Sequence, residues 1–119
     1  MDAAAMKART KAFSLRIIRL CESLPKGRTG EVIGRQLLRS GTSVGANYRA
    51  VLRARSKADF LNKLGVVEEE ADESLFWLEL LGDAEVMAKS RLTALMKECE
   101  EILAIIVASI RSAKQNKDN

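Results

Sequence analysis

Apolar residues recur along this chain at three- and four-residue steps in four long stretches, each bounded by residues that start or stop a helix. Phe13, Ile17, Leu20, Cys21 and Leu24 form the first stripe and predict a helix over about residues 4–24. Pro25-Lys26-Gly27 ends it, because proline lacks the helical donor and glycine suits the turn. Thr29 is the expected cap of a second helix over about 29–54, with Glu31 in its first turn. Its apolar side is Val32, Ile33, Leu37, Leu38, Val44, Tyr48, Val51 and Leu52. Ser56 then caps a third helix over about 57–82, with Asp59 reaching back as in a capping box. Phe60, Leu64, Val67, Ala71, Leu75, Leu78 and Leu81 mark its core face, and Gly82-Asp83 closes it. The fourth helix, over about 88–114, carries Leu92, Leu95, Met96, Cys99, Ile102, Leu103, Ile106 and Ile110, and the polar tail after it is expected to fray. Short loops between long helices imply antiparallel neighbours. The reading is an all-α, up-down-up-down four-helix bundle formed by residues 1–119 as a single domain.

Several stripes are wider than a bundle core requires. Trp77 and Phe76 lie off the Leu75–Leu78 face, and Ile105 and Val107 lie off the main stripe of the fourth helix. That width suits either a fatter core or a surface for self-association.

Composition narrows the chemistry. An apolar content of 47% and a charged content of 30% suit a soluble globular protein. The apolar run from Ile102 to Ile110 is too short to span a bilayer, and the first ten residues lack a signal-type apolar core, so a cytoplasmic protein is expected. Cys21 and Cys99 fall within helical patterns without metal-ligand spacing, and are expected to be reduced and buried. The chain has no histidine. That removes Ser-His and Cys-His nucleophile pairs and the commonest transition-metal ligand, so no cofactor and no catalytic residue is assigned. Only carboxylate or lysine chemistry survives, and a bound metal would be its signature.

Charge is divided unevenly. Residues 1–57 carry thirteen Lys/Arg against three acids, a net of +10, whereas residues 58–119 carry seven against thirteen, a net of −6. Arg35, Arg39, Arg49 and Arg53 recur at multiples of about one helical turn, and Arg55 and Lys57 follow them. Such a strip can contact phosphates through charge-assisted bonds, or pair with acids of the third helix across a subunit seam. No aromatic residues interleave with it, so any nucleic-acid readout would be driven by the backbone. Glu68, Glu69, Glu70, Asp72 and Glu73 spray around their helix instead of converging, and read as a solvated face or as partners for the arginines, with no metal site.

The second helix is also loaded with small and polar residues: Ser40, Gly41, Thr42, Ser43, Gly45 and Asn47. Gly41 and Gly45 fall one turn apart and invite a close neighbour. Ser43 and Asn47 are expected to share a register-fixing polar contact, and Ser43 has no base to activate it. The run Arg39-Ser40-Gly41-Thr42-Ser43-Val44-Gly45-Ala46-Asn47, with Arg53, Arg55 and Ser56 in the turn beyond and Phe60 after it, resembles a bacterial four-helix-bundle family. Some members of that family are encoded in intervening sequences of 23S ribosomal RNA genes. The resemblance continues through Glu70-Ala71-Asp72-Glu73-Ser74 and Trp77-Leu78-Glu79-Leu80. It implies a homopentameric barrel, kinship with the accessory variability proteins of diversity-generating retroelements, and no established enzymatic activity. Many relatives carry a glutamate where this chain has Ala50. Two functions follow as expectations. One is a non-enzymatic oligomer that binds RNA, or an RNA–protein assembly, through Arg35, Arg39, Arg49, Arg53, Arg55 and Lys57. The other is an interaction scaffold whose charges serve only self-assembly.

Overall fold

A computed structural model describes residues 2–116. It contains α1 (Ala3–Glu22), α2 (Arg28–Val51), α3 (Lys57–Asp83), a 3-10 turn at Lys89–Arg91, and α4 (Thr93–Gln115). The bundle is a rod of 52 × 20 × 20 Å. Neighbours in sequence pack along their lengths, α1 on α2, α2 on α3 and α3 on α4, while α1 meets α4 only slightly. Of the polar tail, residues 117–119 lie outside the described residues.

The helix ends follow local chemistry, with some shifts from the sequence reading. Asp2 caps α1 by accepting from the Ala4 N–H at 3.0 Å. The cap of α2 is Gly27, not Thr29. Gly27 sits at φ 154°, a conformation side chains oppose, and this lets the helix begin at Arg28 with Thr29 already inside its first turn. The far end of α2 comes at Val51, earlier than expected. There the Arg53 and Ala54 N–H groups take i−3 carbonyls, tightening the chain so that it can reverse. Ser56 caps α3 as anticipated, its hydroxyl accepting from the Asp59 N–H, while Asp59 reaches one residue further back to the Arg55 N–H.

Helix α3 ends in a Schellman motif. The Glu85 N–H bonds the Gly82 carbonyl at 3.0 Å, and the Val86 N–H bonds the Leu81 carbonyl at 2.9 Å. The left-handed residue is Glu85, at φ 60°. The helix closes at Gly82-Asp83 as anticipated, with Gly82 its penultimate residue. The missing side chain of Gly82 makes room for Lys89 and Leu92, since a Cβ there would lie 3.1 and 3.3 Å from them. The chain then spends the 3-10 turn on burying Leu92 before α4 begins, five residues later than the periodicity suggested.

Phe13, Ile17, Leu37, Val44, Leu64, Leu78, Ile102 and Ile106 form the middle of the core, each essentially without solvent contact. Three residues assigned to the apolar side of α2 face outward instead: Val32, Leu38 and Leu52. Cys99 is buried and Cys21 half-buried, and both are free thiols. Burial pushes the Cys21 thiol up to about 11 and the Cys99 thiol up to about 12, which keeps both protonated and unreactive near neutrality. Among the described residues no helix is long and apolar enough to cross a membrane.

Candidate functional site

The small-residue motif is built around the α1–α2 contact. A Cβ on Gly41 would lie 2.6 Å from Ile17 Cγ2, and one on Gly45 would lie 2.8 Å from Ser14 Oγ and 3.2 Å from the Thr10 carbonyl. The two glycines bare one rung of the α2 backbone, and Ile17 and Ser14 occupy the space. The Ser14 hydroxyl donates to the Gly41 carbonyl at 2.8 Å and accepts from the Gly45 N–H at 3.2 Å.

The polar contact that ties α2 to α3 is Ser40 with Ser74, whose hydroxyls lie 2.9 Å apart and are fully buried. Ser74 also reaches the Glu70 carbonyl at 2.8 Å, and Ser40 reaches the Leu37 carbonyl at 3.4 Å, so neither is left without a partner. Ser43 and Asn47 do not fill this role. Ser43 donates to the Arg39 carbonyl and Asn47 to the Ser43 carbonyl, both within α2 itself. Thr42 likewise donates to the Leu38 carbonyl at 2.7 Å. These half-buried residues bond locally because a short polar side chain in a helix interior reaches its own preceding turn.

The arginines expected to form one strip divide into two groups. Arg35 pairs with Glu31 on its own helix, at 3.2 Å. Arg39 bridges to α3, contacting Glu70 at 3.2 Å and also Glu73. The Trp77 indole donates to Glu73 at 3.0 Å, and with Arg39 it holds that carboxyl below the usual carboxylate range. The acids of α3 therefore neutralise Arg39 within the same chain, with no need for a subunit seam. Lys57 is likewise engaged, its ammonium donating to the Asn116 carbonyl at the end of α4.

Arg49, Arg53 and Arg55 make no ion pair among the described residues. All three are exposed, and they line a groove of about 610 Å³ with Ala46, Ala50, Asp59 and Lys63. Asp59 is the one acid of this lining. Lys63 holds it at 2.6 Å, and together with the Arg55 N–H lowers its pKa. Four cations against one carboxylate leave a concentrated positive field at this end of the rod. Lys63 escaped the sequence reading because it lies on the acidic half of the chain, eight residues after Arg55.

The fold and this groove define a class, the helical-bundle proteins that carry an uneven charge pattern on an all-α scaffold. The chain belongs to the 23S rRNA-intervening sequence protein family, which it matches over residues 4–108. It is similar to a crystal structure of a protein with unknown function from the S23 ribosomal protein family of Bacteroides thetaiotaomicron, with 35% identity and a TM-score of 0.86 over 93% of this chain and 99% of that one. A search of curated proteins finds no match.

Proposed function

We propose that this protein is a non-enzymatic, cytoplasmic nucleic-acid-binding bundle that holds RNA by its phosphate backbone at the α2–α3 turn. The carrying observation is that Arg49, Arg53 and Arg55 converge on one groove without ion-pair partners, while Arg35 and Arg39 are engaged by acids. Exposed guanidiniums can take phosphate oxygens with two parallel hydrogen bonds, and a groove with no aromatic residue reads backbone and not base identity. The test compares Arg53→Glu with Arg35→Glu by fluorescence anisotropy on a structured RNA. Both change the charge equally. Arg53→Glu is expected to weaken binding about tenfold and Arg35→Glu much less. Equal losses would reduce the effect to net charge and remove the groove from the account.

A second reading, self-association, is favoured by the apolar surface. Phe76 is 48% exposed and stacks edge-on against Trp77 with ring centroids 5.0 Å apart, and Val32 is 54% exposed. These suit contact with further copies of the chain, a pentamer if the family resemblance holds. Phe76→Glu is expected to lower the mass measured by light scattering. An unchanged mass would take Phe76 out of any subunit contact.

A further inference from the structure

A second groove opens on the other side of α2. It runs between α1 and α2, has a volume of about 500 Å³, and is lined by Lys7, Lys11, Ser14, Leu15, Ile18, Thr42, Gly45, Ala46 and Arg49. It contains three cations and no acid. Leu15 and Ile18 give it an apolar wall that stays 41% and 38% exposed. Ala46 and Arg49 belong to this groove and to the cationic groove at the α2–α3 turn alike. The two are therefore continuous across α2 at a point where the side chain of residue 46 is only a methyl.

We infer that the α1–α2 groove receives an unpaired base of a single-stranded RNA segment whose phosphates lie along Arg49, Arg53 and Arg55. The inference rests on the phosphate-binding reading of the α2–α3 groove and adds the class of RNA. Three cations without a counter-acid suit a polyanion, and Lys7 and Lys11 extend the positive path beyond the arginines. The apolar wall has no use for phosphate, but it suits the face of a base that has left its stack. A duplex keeps its bases inside and offers this wall nothing. The Ser14 and Thr42 hydroxyls both give their protons to backbone carbonyls and have none left for a base, so the preference is for unpaired RNA with little regard to sequence.

The probes are an oligouridine of about twelve nucleotides and an abasic strand of the same length, which carries equal charge without bases. The wild-type protein is expected to bind the oligouridine about tenfold more tightly than the abasic strand. Ala46→Ile fills the groove without adding a ring or a charge, and Leu15→Gln makes its wall polar. Each is expected to bring that ratio close to one, with circular dichroism verifying that the variant is folded. Equal wild-type binding of the two strands overturns the inference and leaves phosphate binding standing. Failure of both strands to bind removes the two readings together. A ratio that survives in both variants, while Ala46→Ile lowers the mass in solution, assigns the groove to a second copy of the chain and also overturns the inference.

Discussion

The hydroxyl of Ser14 explains why two glycines stand one turn apart in α2. It stands where a Gly45 side chain would lie, while Ile17 fills the place of one at Gly41, and it bonds both the Gly41 carbonyl and the Gly45 N–H. A Cβ at Gly45 meets that hydroxyl and a backbone carbonyl, neither of which can move cheaply. Gly65, in α3, has nothing within 4 Å of the position where a Cβ would stand. The same substitution should thus have opposite signs at the two sites. Gly45→Ala is expected to destabilise by about 2 kcal/mol through overpacking and loss of the Ser14 bond. Gly65→Ala is expected to stabilise by about 1 kcal/mol through helix propensity alone. Urea unfolding of both variants checks this, and a loss at Gly65 or a gain at Gly45 contradicts it. Close packing at Gly41 and Gly45 was legible in the spacing. Ile17, its partner at Gly41, was already in the apolar stripe of α1, but Ser14, its partner at Gly45, looks like any other polar residue until the helices are placed side by side.

At the scale of the helix, α1 and α4 pack only slightly, and ion pairs join them. Arg9 forks onto Glu98, with bonds of 2.8 and 2.7 Å, and also reaches Glu101 at 2.8 Å. The hydrogen bond from Arg9 holds the Glu98 carboxyl below its ordinary value. A carboxylate with a folded pKa below its unfolded one contributes its full stability above the unfolded pKa, roughly 4.3, and loses it as the pH falls through the folded value. Thermal stability is therefore expected to hold from neutral pH to about 5 and to decline below it. Glu98→Gln should cost about 1 kcal/mol at neutral pH and make that decline shallower. A variant with the same acid profile as the wild type would show that the fork does not hold α1 to α4. The four helices themselves were readable from periodicity, since an apolar stripe needs no knowledge of its partner. Their ends were less so. Gly27 displaced Thr29 as a cap because its φ of 154° lets the helix begin at Arg28, whereas Ser56 and Gly82-Asp83 mark the two ends of the third helix as read.

Over the whole molecule, the question is which charges remain after the helices have paired. Sequence spacing placed Arg35, Arg39, Arg49 and Arg53 on one strip, but spacing does not tell which acids a neighbouring helix presents. Glu70 and Glu73 stand opposite Arg39, whereas the arginines at the turn face a groove whose one acid is already held by Lys63. Lys7 and Lys11, on α1, join the surface only through the fold. The outcome is a rod in which three arginines without an ion pair among the described residues, Arg49, Arg53 and Arg55, line one groove at the end of α2, and the account stands or falls on what they bind. The most direct measurement is the salt dependence of RNA binding by the wild-type protein. Engagement of Arg49, Arg53 and Arg55 is expected to give a plot of log affinity against log salt with a slope of about −2. Loss of Arg53 and Arg55 together should bring the slope to about a third of that value. No binding at low ionic strength, or a slope unchanged in the double variant, would contradict the assignment of this groove to nucleic acid.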